Sequence, residues 1–455
     1  MTDYILQRFI EPERWTEALR KGVDKGMCMA DLQMLTRTDV RTQMLRLIYD
    51  DAYNITIPHT AYIPKDDGGE RVVVVNEAPD RIFLSIVNDL LMELCPDMIH
   101  PACKSYQKGI GCGRIVTGIS QRIVSETERA KKALATSGVP TVGWKADFTK
   151  YFDRVPRHYI DAAFDAVEER YGKSKIINVL RRYYHNDLYF DTRGDGEGEV
   201  VWESTKGGKH VVIRNHYRSL KQGCAVASWL ANVIMYDLDV KLSALDGLYA
   251  RYSDDTIFIG IDHRLAMKVM EQHMIEMSTP TLNMEIKEKK REWITADKWV
   301  TFLGYSIKGS DITLSKKWIY HFKEEIDSRT IDADHLTTEQ SVRKVMDYLY
   351  KGDGKHSWAT WVLAVVNVES DIDELNNYTM DALRAKMTGK TDIGGLGYVR
   401  NAQRGKGCIS RGVGKNVRSN RLKTPKEIPG YRTMRCMRNA MRYNKSLYYS
   451  LLSAA

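Results

Sequence analysis

Two short apolar runs, each delivering acidic residues at a turn, constrain this chain more than any other feature. Val142-Gly-Trp-Lys-Ala-Asp147-Phe is a short strand that ends in an acid. Gly247-Leu-Tyr-Ala-Arg-Tyr252-Ser-Asp254-Asp255-Thr-Ile-Phe-Ile-Gly260 is two β-rich runs around a tight acidic turn. Carboxylates at the ends of adjacent strands repel one another unless cations bind between them. Taken singly, each piece has an ordinary reading: Asp-Asp is common turn chemistry, and a lone strand-terminal Asp is usually a cap or a surface residue. What favours a metal-dependent site is the ordered set of segments around them.

Those segments describe an α+β chain. Residues 1 to about 55 carry short helical spacings, such as Leu32 with Leu35 and then Met44, Leu45 and Ile48. Tyr62-Ile-Pro-Lys65-Asp-Asp-Gly-Gly-Glu-Arg71-Val-Val-Val-Val75 sets a turn signal before a β-branched run and predicts a hairpin with basic residues near its tip. Helical periodicity covers about 80–95, 157–185, 222–245 and 263–278. A Gly-rich, strand-like stretch at about 188–214 predicts an inserted β-hairpin, and a strand pair is expected around 298–307. Beyond 315 the pattern is helical, and no internal repeat or low-complexity segment occurs.

Composition narrows the class. A length of 455 residues suggests about two or three domains, and 43% hydrophobic residues supply a sizeable core. No run approaches the roughly 20 apolar residues of a membrane span, and the start Met1-Thr2-Asp3 lacks a signal pattern, so a cytoplasmic protein without a membrane partner is expected. The seven cysteines form no CxxC pair, which argues for reduced thiols rather than a zinc ribbon or disulfide framework. Charge is uneven: residues 393–455 hold 14 Lys or Arg against the single acid Glu427, leaving −4 on the remainder of a +9 chain. Such a basic end implies a polyanionic partner. The plain alternative is a solvated tail, but the interleaved Tyr398, Tyr431, Met434, Met437, Met441, Tyr443, Tyr448 and Tyr449 argue for folded structure.

In order, the segments over about 58–308 resemble the reverse-transcriptase family, especially the bacterial branch related to group II intron enzymes. Lys65 to Arg71 with Asp80-Arg81 is similar to the fingers hairpin and the helix after it, and Ser105-Tyr106-Gln-Lys108-Gly109 to the family's Ser-Tyr-Gly-Phe-Arg block. Asp147-Phe-Thr-Lys-Tyr151-Phe152-Asp153 resembles motif A. Gln222-Gly223 with Ser228 and Leu230-Ala231-Asn232 resembles motif B, and Tyr252-Ser-Asp254-Asp255 motif C. Leu282-Asn283, the lysines at 287 and 289, and Phe302-Leu-Gly-Tyr305 resemble motifs D and E. There are departures. Lys221 stands where motif B usually has Pro, Ser228-Trp229 where Ser-Pro is usual, and no Cys/His endonuclease module follows. The Ser-Gln step of diversity-generating enzymes is missing, and Val116-Thr117-Gly118 lies too early to be the retron hallmark. By elimination the chain is similar to the divergent "unknown group" and abortive-infection enzymes, many of them implicated in antiphage defence with a partner non-coding RNA.

The resemblance implies an α+β, right-hand polymerase fold. N-terminal helices and fingers would span 1–140, and a palm with an antiparallel sheet 141–310, with the insertion at about 188–214. A helical thumb would span 311–392 and a basic nucleic-acid-binding region 393–455. Asp147, Asp254 and Asp255 would be catalytic and, with the Phe148 carbonyl, hold two Mg²⁺ ions about 4 Å apart, Mn²⁺ being able to substitute. Lys65 and Arg71 would grip the triphosphate; Phe152 would screen the 2′-hydroxyl, its plain alternative being a core aromatic. Gln222 and Gly223 would pack on the nascent pair, and Lys287 or Lys289 would protonate the pyrophosphate. In the basic region Arg400, Arg404, Arg411, Lys415, Arg418 and Arg421 would bind nucleic acid through phosphates. The implied partners are an RNA template (a structured non-coding RNA), a DNA product and dNTPs; a homo-oligomer is left open. The rival readings are a template-independent or protein-primed DNA polymerase and a maturase-like RNA binder. An RNA-dependent RNA polymerase is disfavoured by Phe152.

Overall fold

The computed structural model describes residues 3–24, 26–64, 70–107, 111–134, 138–148, 151–185, 199–206, 209–216, 220–277, 291–351, 357–388 and 428–443. Contacts divide the chain into two compact units. The first comprises Met1–Lys108 with Gly143–Trp293, and the second Gly109–Val142 with Ile294–Ala455. Among the described residues no helix is long and apolar enough to cross a membrane.

In the first unit, four short helices (Tyr4–Phe9, Pro12–Asp24, Met29–Thr36 and Thr38–Tyr49) precede a hairpin of β1 (His59–Pro64) and β2 (Glu70–Val75). The hairpin is in register His59↔Val75 to Pro64↔Glu70, as the β-branched run predicts. The long helix Ala78–Leu94 buries Ile82, Phe83, Ile86, Val87, Leu90 and Leu91 in the core. Its Asp80 accepts bonds from the Tyr53 hydroxyl (2.5 Å) and the Thr56 amide (2.9 Å), which ties the helix start to the segment before the hairpin.

The central sheet has the order β6-β7-β3-β8, built from β3 (Thr141–Asp147), β6 (Leu248–Tyr252), β7 (Asp255–Ile259) and β8 (Glu292–Thr295). Both β6 and β3 run antiparallel to β7, which lies between them. Helices Arg157–Tyr171, Lys175–His185, Val226–Val233, Tyr236–Ser243 and His263–Met277 complete the unit. Trp144 stacks on Phe258 at 6.0 Å and donates its indole N–H to the His263 carbonyl at 2.8 Å, so a large ring is buried with its polar atom satisfied. The expected insertion includes a hairpin of β4 (Glu199–Lys206) and β5 (Lys209–His216), in register Glu199↔His216; residues 186–198 lie outside the described residues.

One helical expectation splits. The periodic stretch 222–245 is two helices, Val226–Val233 and Tyr236–Ser243. The break has a chemical cause. The Ala231 and Asn232 carbonyls accept from the buried Arg251 guanidinium at 3.1 and 3.0 Å, and Ala231 also from the Tyr151 hydroxyl at 2.9 Å. A tertiary donor caps carbonyls at the first helix's C-terminal end, where intrahelical partners run out.

The second unit holds helix Cys112–Leu134 and a three-stranded sheet of β9 (Val300–Phe302), β10 (Tyr305–Lys308) and β11 (Asp311–Leu314). The expected strand pair therefore gains a third member. Asn367 bonds Ile312 through both side chain and backbone, at 2.7 and 2.9 Å, and so satisfies β11 as a neighbouring strand would. Helices Lys316–Asp327, Thr338–Met346, Trp358–Val362, Glu369–Thr388 and Met434–Tyr443 follow. Tyr378 donates to Asp327 at 2.8 Å, and Lys323 pairs with Glu374 at 3.2 Å, joining the first of these helices to the fourth.

Candidate active site

The acids are positioned by strand pairing. Asp147, the last residue of β3, is the Cα partner of Asp255, the first residue of β7, and Asp255 is also the partner of Tyr252 on β6. Ser253, in the turn between, has φ 61, a left-handed conformation that turns the chain sharply. The turn is held from behind by Arg251, which is wholly buried. Its guanidinium donates to the Ser253 carbonyl at 3.0 Å and forks onto Asp239 at 2.8 and 2.6 Å, while Tyr249 donates to the same carboxylate at 2.9 Å. One cation thus joins the acidic turn to both helices of the 222–245 stretch.

The electrostatics are strained in an informative way. Burial first, then the adjoining Asp147 carboxyl, pushes Asp254 up to about 7, because two close carboxylates cannot both stay charged without a counter-charge. The third acid leans elsewhere: Lys145, two residues before Asp147 on the same face of β3, lies 3.3 Å from Asp255. No three His, Cys, Asp or Glu side chains converge on one point among the described residues. The fit to a divalent ion rests on the donor chemistry. The neighbouring Asp147 carboxyl helps raise Asp254, a repulsion that a bound hard cation would relieve, and carboxylate oxygens suit such a cation.

A cavity of about 470 Å³ opens in front of this turn and is lined by Arg71, Phe152, Gln222, Gly223, Asp254 and Asp255, among others. Five segments far apart in sequence therefore meet there. The Val74 amide donates to the Gln222 carbonyl at 2.7 Å, stitching the β1–β2 hairpin to the 222 loop. Gly223 has φ +107, and a Cβ on it would stand 2.3 Å from the Val74 carbonyl oxygen, so no larger residue fits there without a shift. Lys221 has φ 55, a value closed to proline, whose ring fixes φ near about −65°. Its ammonium lies 5.1 and 5.9 Å over the Tyr183 and Tyr184 rings, so the Lys that departs from the usual motif has a built site of its own.

Phe148 is buried against Tyr151 at 5.9 Å, and Phe152 packs half-buried beside Tyr151 at 5.6 Å with its ring at the cavity. Lys65, Lys287, Lys289 and the six basic residues Arg400, Arg404, Arg411, Lys415, Arg418 and Arg421 lie outside the described residues.

Sequence reasoning gave no role to four residues at or behind this cavity. Tyr106, with φ 57, lines it and faces Tyr252 at 6.0 Å. Asn232, wholly buried, accepts from the Ser105 hydroxyl at 2.6 Å and donates to its carbonyl at 2.9 Å, fixing the loop that carries Tyr106. Arg251 and Lys145 complete the set. The available signals were the Ser105-Tyr106 block and two strand positions flanking acids; the burial of Arg251 has no local signature.

Comparison with curated proteins gives no match. Among solved structures, apo telomerase from Candida tropicalis shows 14% identity and a TM-score of 0.41 over 74% of this chain and 58% of that one. Telomerase from Candida albicans in complex with a TWJ fragment of telomeric RNA shows 11% identity and a TM-score of 0.33 over 81% of this chain and 67% of that one. The chain thus spans less than two thirds of the first telomerase. The reverse transcriptase (RNA-dependent DNA polymerase) family model matches residues 63–307. More than half of the sequence, including every strand of the acidic sheet, falls within that match, and the chain belongs to the reverse transcriptase (RNA-dependent DNA polymerase) family, whose members are α+β proteins of the right-hand polymerase fold.

Proposed function

We propose that this enzyme adds dNTPs to a growing 3′-hydroxyl on a bound, structured non-coding RNA, with Mg²⁺ at Asp147, Asp254, Asp255 and the Phe148 carbonyl, and that its role is bacterial antiphage defence. The single observation that carries the polymerisation reading is the cavity at the Asp254–Asp255 turn, where Arg71, Phe152, Gln222 and Gly223 also meet. Two divalent ions would activate the 3′-hydroxyl and stabilise the departing pyrophosphate. The chain's own groups do the positioning. Arg71 offers its fork to the triphosphate. Phe152 occupies the space a 2′-hydroxyl would need. Gly223 lets the nascent base pair approach the 222 loop. Arg251 and Lys145 hold the acidic turn and its third carboxylate.

On this reading the fingers, palm and thumb correspond to about 1–140, 141–310 and 311–392. Lys65 and Lys287 join the substrate site, and the basic stretch 393–455 clamps nucleic acid. The Mg²⁺ preference follows from the all-oxygen donor set. The defence role rests on likeness to the abortive-infection branch.

The test is to purify the protein from a bacterial host with native flanking DNA and sequence the nucleic acid that copurifies, comparing wild type with Asp254→Ala. DNA complementary to one bound RNA in wild type, and that RNA alone in the variant, is the expected result. Untemplated DNA establishes the template-independent alternative, and RNA without DNA in both proteins, with or without phage, establishes the maturase-like one.

A further inference from the structure

The second unit contains a cavity of about 820 Å³ to which the polymerase chemistry assigns nothing. Every residue that lines it belongs to that unit. Its walls include four helical segments: Trp318 and His321 on Lys316–Asp327, Lys344 on Thr338–Met346, Tyr348 on Asp347–Lys351, and Trp361 on Trp358–Val362. A volume of this size falls within the range of about 300–1,000 Å³ typical of ligand sites.

The lining is aromatic to an extent that core formation does not require. Trp318 and Trp361 remain 40% and 45% exposed, although indoles are among the side chains most favoured by burial. Their neighbours are held in place. Trp318 sits edge-on to His321 at 5.9 Å, and its indole covers Gly304, where a Cβ would stand 2.1 Å from the ring nitrogen. The buried Phe322 braces Tyr348 at 6.4 Å, and the Arg329 guanidinium, itself at the cavity wall, lies over the Tyr348 ring at 4.4 Å. These rings are preformed faces.

The charge balance in the cavity selects the occupant. Glu325 is ion-paired with Arg329, and Asp347 with Lys351, so both acids are neutralised. Lys344 has no ion-pair partner among the described residues and contributes a net positive charge at the wall. Exposed aromatic faces beside a cation are the chemistry of a single-strand platform, where bases stack and phosphates meet positive charge. A base inside a duplex hides its faces, so the ligand must be unpaired. An apolar protein segment would leave the Lys344 cation unmatched.

We propose that this cavity is a binding site for an unpaired nucleotide of a nucleic-acid strand, whose base stacks among Trp318, Tyr348 and Trp361 while its phosphate faces Lys344. The inference goes beyond the polymerisation reading and rests on it only in taking nucleic acid as the partner.

The test uses the full chain carrying Asp254→Ala, so that binding is observed without synthesis. A single-stranded RNA substituted with 5-iodouridine is irradiated on the protein, and the crosslinked peptides are mapped. Crosslinks to peptides containing Trp318, Tyr348 or Trp361 are expected. Trp361→Ala, checked for folding by its thermal melt, should weaken binding of that RNA roughly 5- to 150-fold, the value of about 1–3 kcal/mol per stacked base. Trp361→Phe should restore most of it. Lys344→Glu, which removes no packing, should weaken binding and reduce its salt dependence by about one phosphate contact. Crosslinks that fall only outside the cavity, with affinity unchanged in both variants, overturn the proposal. Uridine 5′-monophosphate that saturates the cavity while the strand gains nothing overturns it in favour of a free-nucleotide site. Primer extension by wild type is assayed beside it: its absence would count against the polymerase reading, while the crosslink and affinity results, which need no synthesis, decide the cavity.

Discussion

Gly223 lies against the Val74 carbonyl so closely that a Cβ at 223 would stand 2.3 Å from the oxygen, and its φ of +107 is one that L side chains rarely adopt. The hairpin and the 222 loop, joined by the Val74–Gln222 bond, can meet only because residue 223 lacks a side chain. Gly223→Ala must move one of the two. The expected outcome is a loss of roughly 1–3 kcal/mol in stability from strain and at least a tenfold fall in primer extension, read by thermal melting and gel assay. A variant of wild-type activity would show that the close approach is not used.

Asp254 gives opposite signs in stability and activity. Its folded value of about 7 lies above the ordinary carboxyl value of 3.8, so the folded protein without metal holds more protons than the unfolded one between those limits. Stability from this group is therefore full below about pH 4 and falls as pH rises towards 7. Asp254→Asn should flatten that part of the metal-free stability curve and abolish nucleotide addition. Added Mg²⁺ should raise the melting temperature of wild type at pH 8 more than that of the variant.

Arg251 is a positioning residue that touches no substrate. Removing one partner of a buried ion pair costs about 3–5 kcal/mol, and Arg251→Ala should reach that range. Arg251→Lys keeps the charge but not the fork that reaches Asp239 and Ser253 together. Its expected signature is a lower kcat with a nearly unchanged KM for dNTP, because the turn and not the triphosphate grip is loosened. A change confined to KM would show that the turn is held without it.

Phe152 should set sugar selection. Phe152→Ala is expected to raise NTP incorporation relative to dNTP by about tenfold or more, the scale on which a pocket rejects an extra group. Since the ring is half-buried beside Tyr151, a modest stability loss should accompany it. Unchanged discrimination would return Phe152 to the core.

Away from the site, Glu168 gauges the acid limb. Burial alone would raise its carboxyl, but bonds from Lys173 (2.7 Å) and Arg181 (3.0 Å) outweigh this and hold it below the usual range. A lowered folded value contributes stability above the unfolded value of about 4.5, and that stability is lost as pH falls through the folded one. Glu168→Gln should cost about 1–3 kcal/mol at neutral pH, less at pH 3, with polymerisation intact.

Local patterns read well where the period carried the information. The apolar runs of β3 and the acidic hairpin, the β-branched run of β2 and the spacing over Ala78–Leu94 all appear as strands and helices where expected. The 222–245 stretch shows the opposite case. Its periodicity is continuous, yet the helix breaks at Ile234 and Met235, because Arg251, brought in from another segment, takes the carbonyls of Ala231 and Asn232. Propensity could not register a competitor that arrives only on folding.

By itself, the amino-acid sequence determined where the candidate site residues fall locally and in what order: Asp147 at a strand end, Gln222-Gly223 ahead of a helix, Asp254-Asp255 in a tight turn. Those signals are local, set by short apolar runs and turn chemistry within a few residues. Tertiary structure decided the pairings: Asp147 beside Asp254, Asp255 against Lys145, Gly223 on Val74, and Arg251 beneath Ser253. Each pairing depends on strand register and on the burial of charge, and both arise only when distant segments exclude water together.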